Sequence, residues 1–143
     1  MTWKPFAALV AIVAFSAVLM AQNEPFLGIW ELSLAKSKIT RGAVPKSQTI
    51  VNVAQDGAFK STRASINENG TSVEVHHYNF DGKFHQTEGG DPREISYKRL
   101  NPTTIERTTR RNGEITVGQE EVSNGGKTLT VTQPGNVRVF DKK

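Results

Sequence analysis

The side chains best suited to metal chemistry are two histidines and a glutamate in the middle of the chain. His76 and Glu74 lie on one strand-like run, and His85 follows Asp81-Gly82. If that dipeptide forms a two-residue turn, His85 lies diagonal to His76 on the same face, within about 7–8 Å. Two imidazoles and a carboxylate could bind zinc or iron. A solvated polar face, which also carries Tyr78, is the favoured interpretation, so we predict no metal and no cofactor.

The sequence does not group side chains for acid–base or nucleophilic catalysis. Glu120 and Glu121 are adjacent and therefore point to opposite sides of a strand, and Asp91 lies in a glycine-proline break. The serines lack the strand–turn–helix setting of a nucleophile elbow, and the chain has no cysteine for thiol chemistry. We therefore expect a protein that is not an enzyme.

A strand-like run near the N-terminus carries the aromatic side chain around which a β-sheet core could form. Read with period two, one face presents Phe26, Gly28, Trp30, Leu32 and Leu34. Burial of the indole can supply about 2–3 kcal/mol, and the glycine leaves room beside it. We predict that this face lines the floor of a closed sheet and that Trp30 is largely buried.

Turn signals divide the rest of the chain into short strands with no helical period. Dipeptides such as Asp56-Gly57 and Asn112-Gly113 are typical of tight hairpins, and they recur at spacings of about 8–12 residues. The pattern predicts an all-β fold, an up-and-down antiparallel β-barrel of about 8–10 strands, with a Greek-key sandwich as the alternative. After the first strand and a loop at 36–45, the predicted strands are 48–55, 58–66, 71–80, 83–88, 93–100, 103–110, 114–122, 127–133 and 137–140.

Several of these strands are unusually polar for the wall of a filled core. The run 103–110 carries one strong apolar residue and is polar on both faces. A barrel lined partly with polar groups is typical of one that holds water or a ligand. The alternative is a loosely packed sheet with solvated strands, and the pattern leaves both interpretations open.

The N-terminus has the pattern of a secretory signal. Lys4 precedes an apolar run that ends at the small residue Ala21. We place cleavage after Ala21, with cleavage after Ser16 as the second choice and a retained membrane anchor as the alternative. The chain then consists of a signal peptide, 1–21, and one domain, 22–143, exported to a periplasm or to the outside of the cell.

Charge limits the partners of this domain. The formal net charge of +4 falls to +3 when Lys4 leaves with the signal, and the basic residues are spread along the mature chain. That mild excess is far from the footprint of a nucleic-acid-binding protein. We expect no nucleic-acid partner and no stable membrane insertion after signal cleavage, and the sequence does not predict an oligomeric state.

Short motifs at both ends of the domain resemble known β-barrels. The FLGIW motif at 26–30 resembles the F-x-G-x-W signature on the first strand of lipocalins and fatty-acid-binding proteins. The VRVFDK ending at 137–142 resembles the R-V-Y-E-K ending of the latter, with Phe140 where a tyrosine is expected. The mature chain as a whole is similar to a group of small exported bacterial proteins described as lipocalin-like, through 28–38, 45–49, 78–83 and 125–131. This resemblance implies a lipocalin-like (calycin-type) β-barrel and no reaction.

The resemblance also implies candidate site residues. In lipocalins a cation from the last strands covers the first-strand indole, so Arg138 over Trp30 is the favoured barrel-closing pair. Alternatively, Arg138 faces the lumen beside Phe140 and forms a fork for a ligand carboxylate. Our leading hypothesis is a barrel that binds a small apolar (hydrophobic) or amphipathic ligand in its lumen. The alternative is a structural or protein-interaction module of the cell envelope, with a filled barrel and a working surface at 103–122.

Overall fold

The computed structural model describes residues 24–143, which form ten β-strands and no helix. No helix within these residues is therefore long and apolar enough to cross a membrane. The predicted signal peptide, 1–21, lies outside the described residues. The strands are β1 (Gly28–Ile39), β2 (Ser47–Gln55), β3 (Ala58–Asn67), β4 (Gly70–Tyr78), β5 (His85–Gln86), β6 (Glu94–Asn101), β7 (Thr104–Arg111), β8 (Glu114–Ser123), β9 (Thr128–Gln133) and β10 (Asn136–Lys142).

The strands form one antiparallel meander that wraps into a nearly closed barrel. Their spatial order is β4-β3-β2-β1-β10-β9-β8-β7-β6-β5, so consecutive strands are neighbours and the two ends of the domain pair through β1 and β10. The two edge strands of this sheet are β4 and β5. They are joined by a bridge between Val75 of β4 and Glu88, which follows β5, and its two backbone hydrogen bonds are 2.8 and 3.0 Å long. The predicted up-and-down barrel is confirmed, and the Greek-key alternative is wrong.

Two glycines make this closure possible. A Cβ atom on Gly89 would clash with the carbonyl oxygen of Val73, and one on Gly90 would lie 2.6 Å from Cγ of Glu74. Both glycines also have positive φ, which side chains with a Cβ rarely adopt. The Gly89-Gly90 break therefore lets the chain after β5 lie directly against β4.

One end of the barrel is filled by aromatic and aliphatic side chains. It is the end with the turns 56–57, 79–84, 102–103 and 124–127, and we call it the closed end. Phe59 stacks on Tyr78 with ring centroids 4.2 Å apart, and Tyr78 stacks on Tyr97 at 3.7 Å. Such pairs stabilise by about 0.5–1.5 kcal/mol beyond their area burial. The buried hydrophobic residues are Phe26, Trp30, Ile50, Phe59, Tyr78, Ile95, Tyr97, Ile105, Val122, Leu129, Val131 and Phe140.

The first strand departs from the predicted pattern in its second half. Leu34 was predicted to face the core, but its side chain is 44% exposed, and the strand continues to Ile39 through the predicted loop. The register between β1 and β10 shifts between Ser33 and Lys38. Ser37 stabilises this bulge, since its hydroxyl donates to the Ser33 carbonyl at 2.6 Å and accepts from the Val139 amide at 2.9 Å. The bulge breaks the alternation and turns Leu34 outward.

Candidate functional site

The other half of the barrel encloses a cavity of about 510 Å³, within the range of small-molecule sites. This cavity end carries the loop 40–46 and the turns 68–69, 87–93, 112–113 and 134–135. The uncharged part of the lining combines hydrogen-bonding groups with a small apolar area. It comprises Ala43, Pro45, Gln48, Ser65, Asn67, Ser72, Thr109, Thr116, Val131, Gln133, Pro134 and Phe140.

Arginine dominates the charged part of the lining. Of the residues that the structure describes, six arginines line the cavity: Arg41, Arg63, Arg93, Arg107, Arg111 and Arg138. Within the described residues the lining carboxylates are Glu74 and Glu114, and no lysine contributes. The cavity is therefore cationic, with fork-shaped donors that match carboxylate and phosphate oxygens.

A buried ion cluster forms the boundary between the cavity and the aromatic stack. Arg63 Nη2 donates to both carboxylate oxygens of Glu120 at 3.2 Å, and Arg107 Nη1 lies 3.5 Å from Oε2. The Tyr78 hydroxyl donates to the same carboxylate at 2.8 Å. Burial alone would raise the pKa of Glu120, but the two arginines hold that pKa below its usual value. The carboxylate is ionised and fully engaged, so it is not a free catalytic base.

A second polar cluster lies where the barrel closes, and it includes His76. Nε2 of His76 lies 2.9 Å from Oε2 of Glu74, and Nδ1 lies 2.8 Å from the Tyr97 hydroxyl. Arg93 donates to both oxygens of Glu74, at 3.2 and 2.5 Å. Because a carboxylate only accepts, Nε2 carries the proton of the neutral ring and Nδ1 accepts from Tyr97.

The environment shifts both titrating members of this cluster. Burial and the nearby Arg63 lower the pKa of His76, and together they outweigh the hydrogen bond to Glu74, which raises it. The resulting pKa is about 4. Burial alone would raise the pKa of Glu74, but hydrogen bonds from His76 and Arg93 bring it down to about 2. At neutral pH the cluster therefore holds a neutral imidazole, an anionic carboxylate and a cationic Arg93.

The hypothetical metal-binding trio of His76, Glu74 and His85 is not assembled. His76 and Glu74 are hydrogen-bonded to each other, but His85 lies 2.8 Å from Asp81 instead of joining them. In residues 24–143 no three His, Cys, Asp or Glu side chains are grouped so that they could hold a metal ion.

Trp30 lies at the closed end, fully buried, and its Nε1 donates to the Phe26 carbonyl at 3.0 Å. The cation over its ring is Lys142, whose Nζ lies 5.2 Å from the ring centroid. The expected pairing with Arg138 is therefore wrong. In the β1–β10 register Trp30 is opposite Lys142, whereas Arg138 lies beside the bulge. The room beside Gly28 is used by Lys142, since a Cβ there would lie 2.9 Å from its Cε.

Arg138 instead lines the cavity beside Phe140, which was the alternative position in the sequence analysis. Its Nη1 donates to Oε1 of Gln48 at 3.0 Å. Its Nε is buried and has no hydrogen-bond partner anywhere in residues 24–143. Burial, followed by the neighbouring Arg107 and Arg63, lowers the pKa of Arg138. An unsatisfied buried donor costs about 1–3 kcal/mol, so an anion at this point would be stabilised.

Sequence reasoning missed the interior arginines on β3 and β7. The signal that could have found them is the alternation on β7, where the apolar Ile105 marks the inner face. Arg107, Thr109 and Arg111 then share that face, and all three line the cavity.

Structural comparisons place the fold among known β-barrels. The chain is similar to wild-type fluorescent protein UnaG, with 14% identity and a TM-score of 0.59 over 84% of this chain and 98% of that one. It is also similar to a point mutant of UnaG, with 16% identity and a TM-score of 0.62 over 84% of this chain and 97% of that one. A third similar structure is a Schistosoma mansoni fatty acid binding protein in complex with arachidonic acid, with 16% identity and a TM-score of 0.55 over 84% of this chain and 97% of that one. No protein-family profile and no curated protein sequence matches the chain. At these identities the comparisons show the fold alone, an antiparallel β-barrel.

Proposed function

We propose that this protein binds a small amphipathic anion in the arginine-lined half of its barrel. The observation that carries the proposal is the composition of the cavity wall, six arginines against two carboxylates around about 510 Å³. Burying cations costs free energy unless counter-charges accompany them. A wall of this kind is stabilised by a bound anion and is a poor match for a purely apolar ligand.

The lining also supports an apolar part of the ligand. Val131 and Phe140 lie next to Arg138 on the inner faces of β9 and β10, and Ala43, Pro45 and Pro134 line the cavity from the connections at its end. A molecule with an acidic head group and a short hydrocarbon or aromatic portion satisfies both kinds of surface. The amphipathic form of the ligand hypothesis is therefore favoured over the apolar one.

The structural neighbours agree with a binding role. One of them is a fatty acid binding protein in complex with arachidonic acid, which is an amphipathic carboxylate. In this chain the groups suited to acid–base chemistry, His76 and Glu120, are locked in hydrogen bonds. We therefore propose binding without catalysis. The alternative of an envelope module depends on a filled barrel, and the cavity weighs against it.

Export is part of the proposal and rests on the N-terminal sequence. A basic residue, an apolar run and Ala21 before Gln22 support a cleaved signal peptide. We expect the mature protein to begin at Gln22, or at Ala17 if the second site is used, and to be recovered from a soluble fraction. Mass spectrometry of the mature N-terminus tests this, and an intact Met1 in a membrane fraction would overturn it.

Native mass spectrometry of the protein purified from its own host tests the ligand. The expected result is a bound species of constant added mass that is acidic and amphipathic and that is absent from the Arg138→Met variant. The Arg110→Met variant is the matched control, because this substitution removes the same charge from the outside of β7. Protein that is bare in every preparation, and stays bare after incubation with the acidic lipid fraction of the host, would contradict the proposal.

A further inference from the structure

The charges inside the barrel do not balance, and the imbalance has a definite size. Among the described residues, the charged side chains that line or underlie the inner cavity are Arg63, Arg93, Arg107, Arg138, Glu74 and Glu120. Four guanidinium groups face two carboxylates, so two positive charges are left over. Arg41, Arg111 and Glu114 lie nearer the mouth, at exposed positions where water screens them.

The ion pairs show where the excess lies. Arg93 is paired with Glu74 and donates hydrogen bonds to both of its carboxylate oxygens. Glu120 is shared between Arg63 and Arg107, so one carboxylate serves two cations. Within residues 24–143, Arg138 has only the neutral Gln48 as a side-chain partner, and its Nε has none. The two uncompensated charges therefore lie together, around Arg138, Arg63 and Arg107.

We propose that the head group of the ligand carries two negative charges and binds between Arg138, Arg63 and Arg107. This inference rests on the proposed function and adds the charge class of the ligand. A single carboxylate would leave one of the two excess positive charges unbalanced, whereas a dianion balances both. Its several oxygens can also accept from Nε of Arg138 while facing the other two guanidinium groups.

Two kinds of head group share this chemistry. A phosphate monoester is largely a dianion above its second pKa of about 6, and a dicarboxylate with both acids on one carbon carries the same charge in a similar volume. Both present three or more acceptor oxygens to a cluster of forked donors.

The test compares probes with one octyl tail and different head-group charges, by isothermal titration calorimetry at pH 8. Octyl phosphate is paired with methyl octyl phosphate, which has one negative charge, and octylmalonate is paired with decanoate, which lacks only its second carboxylate. We expect at least one dianion to bind at least tenfold more tightly than its singly charged partner. Preference for the phosphate alone identifies a phosphate monoester site, and preference for the malonate alone identifies a dicarboxylate site.

Arg138→Met removes one of the two excess charges, so the preference for the dianion should shrink to less than threefold. Arg110→Met, which removes a charge outside the barrel, should retain it. Equal or tighter binding of the singly charged probes by the wild type would overturn the inference and leave the proposed function standing. Binding of none of the four probes would overturn both.

Discussion

Arg138 is held on one side by Gln48 and left without a partner on the other. Its Nη1 donates to Oε1 of Gln48 at 3.0 Å across the cavity wall, whereas its buried Nε has no acceptor in residues 24–143. The side chain also lies close enough to Arg107 and Arg63 for their charges to lower its pKa. This arrangement positions a guanidinium without satisfying it, which suits a ligand contact better than a structural one.

Arg138→Met should weaken anion binding without weakening the fold. Methionine keeps most of the apolar volume and removes a desolvated cation from the neighbourhood of two others. Replacement of poorly compensated buried charge is often neutral or stabilising by about 1–4 kcal/mol. We expect an unchanged or higher free energy of unfolding in urea and at least a tenfold loss of affinity for octyl phosphate. A clear loss of stability with retained affinity would assign Arg138 a structural role.

Glu120→Gln should destabilise the protein strongly, because it leaves Arg63 and Arg107 without their shared carboxylate. Breaking a buried ion pair by removing one partner costs about 3–5 kcal/mol. The adjacent Glu121 points outward, so Glu121→Gln is the matched control and should change stability little. Urea unfolding of the two variants measures the difference. Similar stabilities would show that the interior cluster does not depend on this carboxylate.

Trp30 is the only tryptophan in residues 24–143, so its fluorescence reports the closed end directly. Because the ring is fully buried, we expect blue-shifted emission that moves red in one cooperative step on unfolding. Trp30→Ala should cost about 3–5 kcal/mol. Lys142→Met keeps the packing over the ring and loses only the cation, so it should cost about 0.5–1 kcal/mol. Solvent-like emission from the folded protein would contradict this placement.

Acid should destabilise the protein in two stages. The pKa of His76 is about 4 in the fold and about 6.5 in an unfolded chain, so the unfolded state binds the proton more readily. Its contribution is therefore complete above pH 6.5 and is lost as the pH falls toward 4. The pKa of Glu74 falls from 4.5 to about 2 on folding, so its contribution is lost between pH 4.5 and 2.

Urea unfolding at pH 7, 5.5 and 4.5 measures the first stage. His76→Gln should flatten the decline over this range, because the unfolded state of the variant lacks the proton-binding group. His85→Gln is the control, since His85 is partly exposed beside Asp81, and it should preserve the decline. An equally steep decline in His76→Gln would show that another group is responsible.

Much of the barrel could be predicted from local signals. Asp56-Gly57 and Asn112-Gly113 have positive φ at both turn positions, as two-residue hairpins require, and strands with period-two patterns flank them. The bulge in β1 could not be predicted, because neither glycine nor proline lies between Ser33 and Lys38. The continuation to Ile39 and the outward turn of Leu34 follow from that bulge.

The candidate site was predicted less well, because it depends on contacts between distant strands. Arg138 could be assigned to the lumen or to Trp30 only through the β1–β10 register, which joins the two ends of the domain. Arg63 and Arg107 lie on polar strands that read locally as solvated surface. Alternation on β7 places Arg107 on the same face as Ile105, but only closure of the barrel encloses the guanidinium groups.

The most direct test of anion binding is the Nε–H signal of Arg138 in a ¹H–¹⁵N NMR titration with octyl phosphate or octylmalonate, whichever binds more tightly. Its assignment follows from the Arg138→Met spectrum, and the signal of Arg110 is an internal control on the outside of the barrel. We predict that the Arg138 signal moves downfield and saturates at one ligand per protein, as Nε–H gains an acceptor, while that of Arg110 stays in place. A saturating titration that shifts other signals but not Arg138, or no shift at all, would contradict the account.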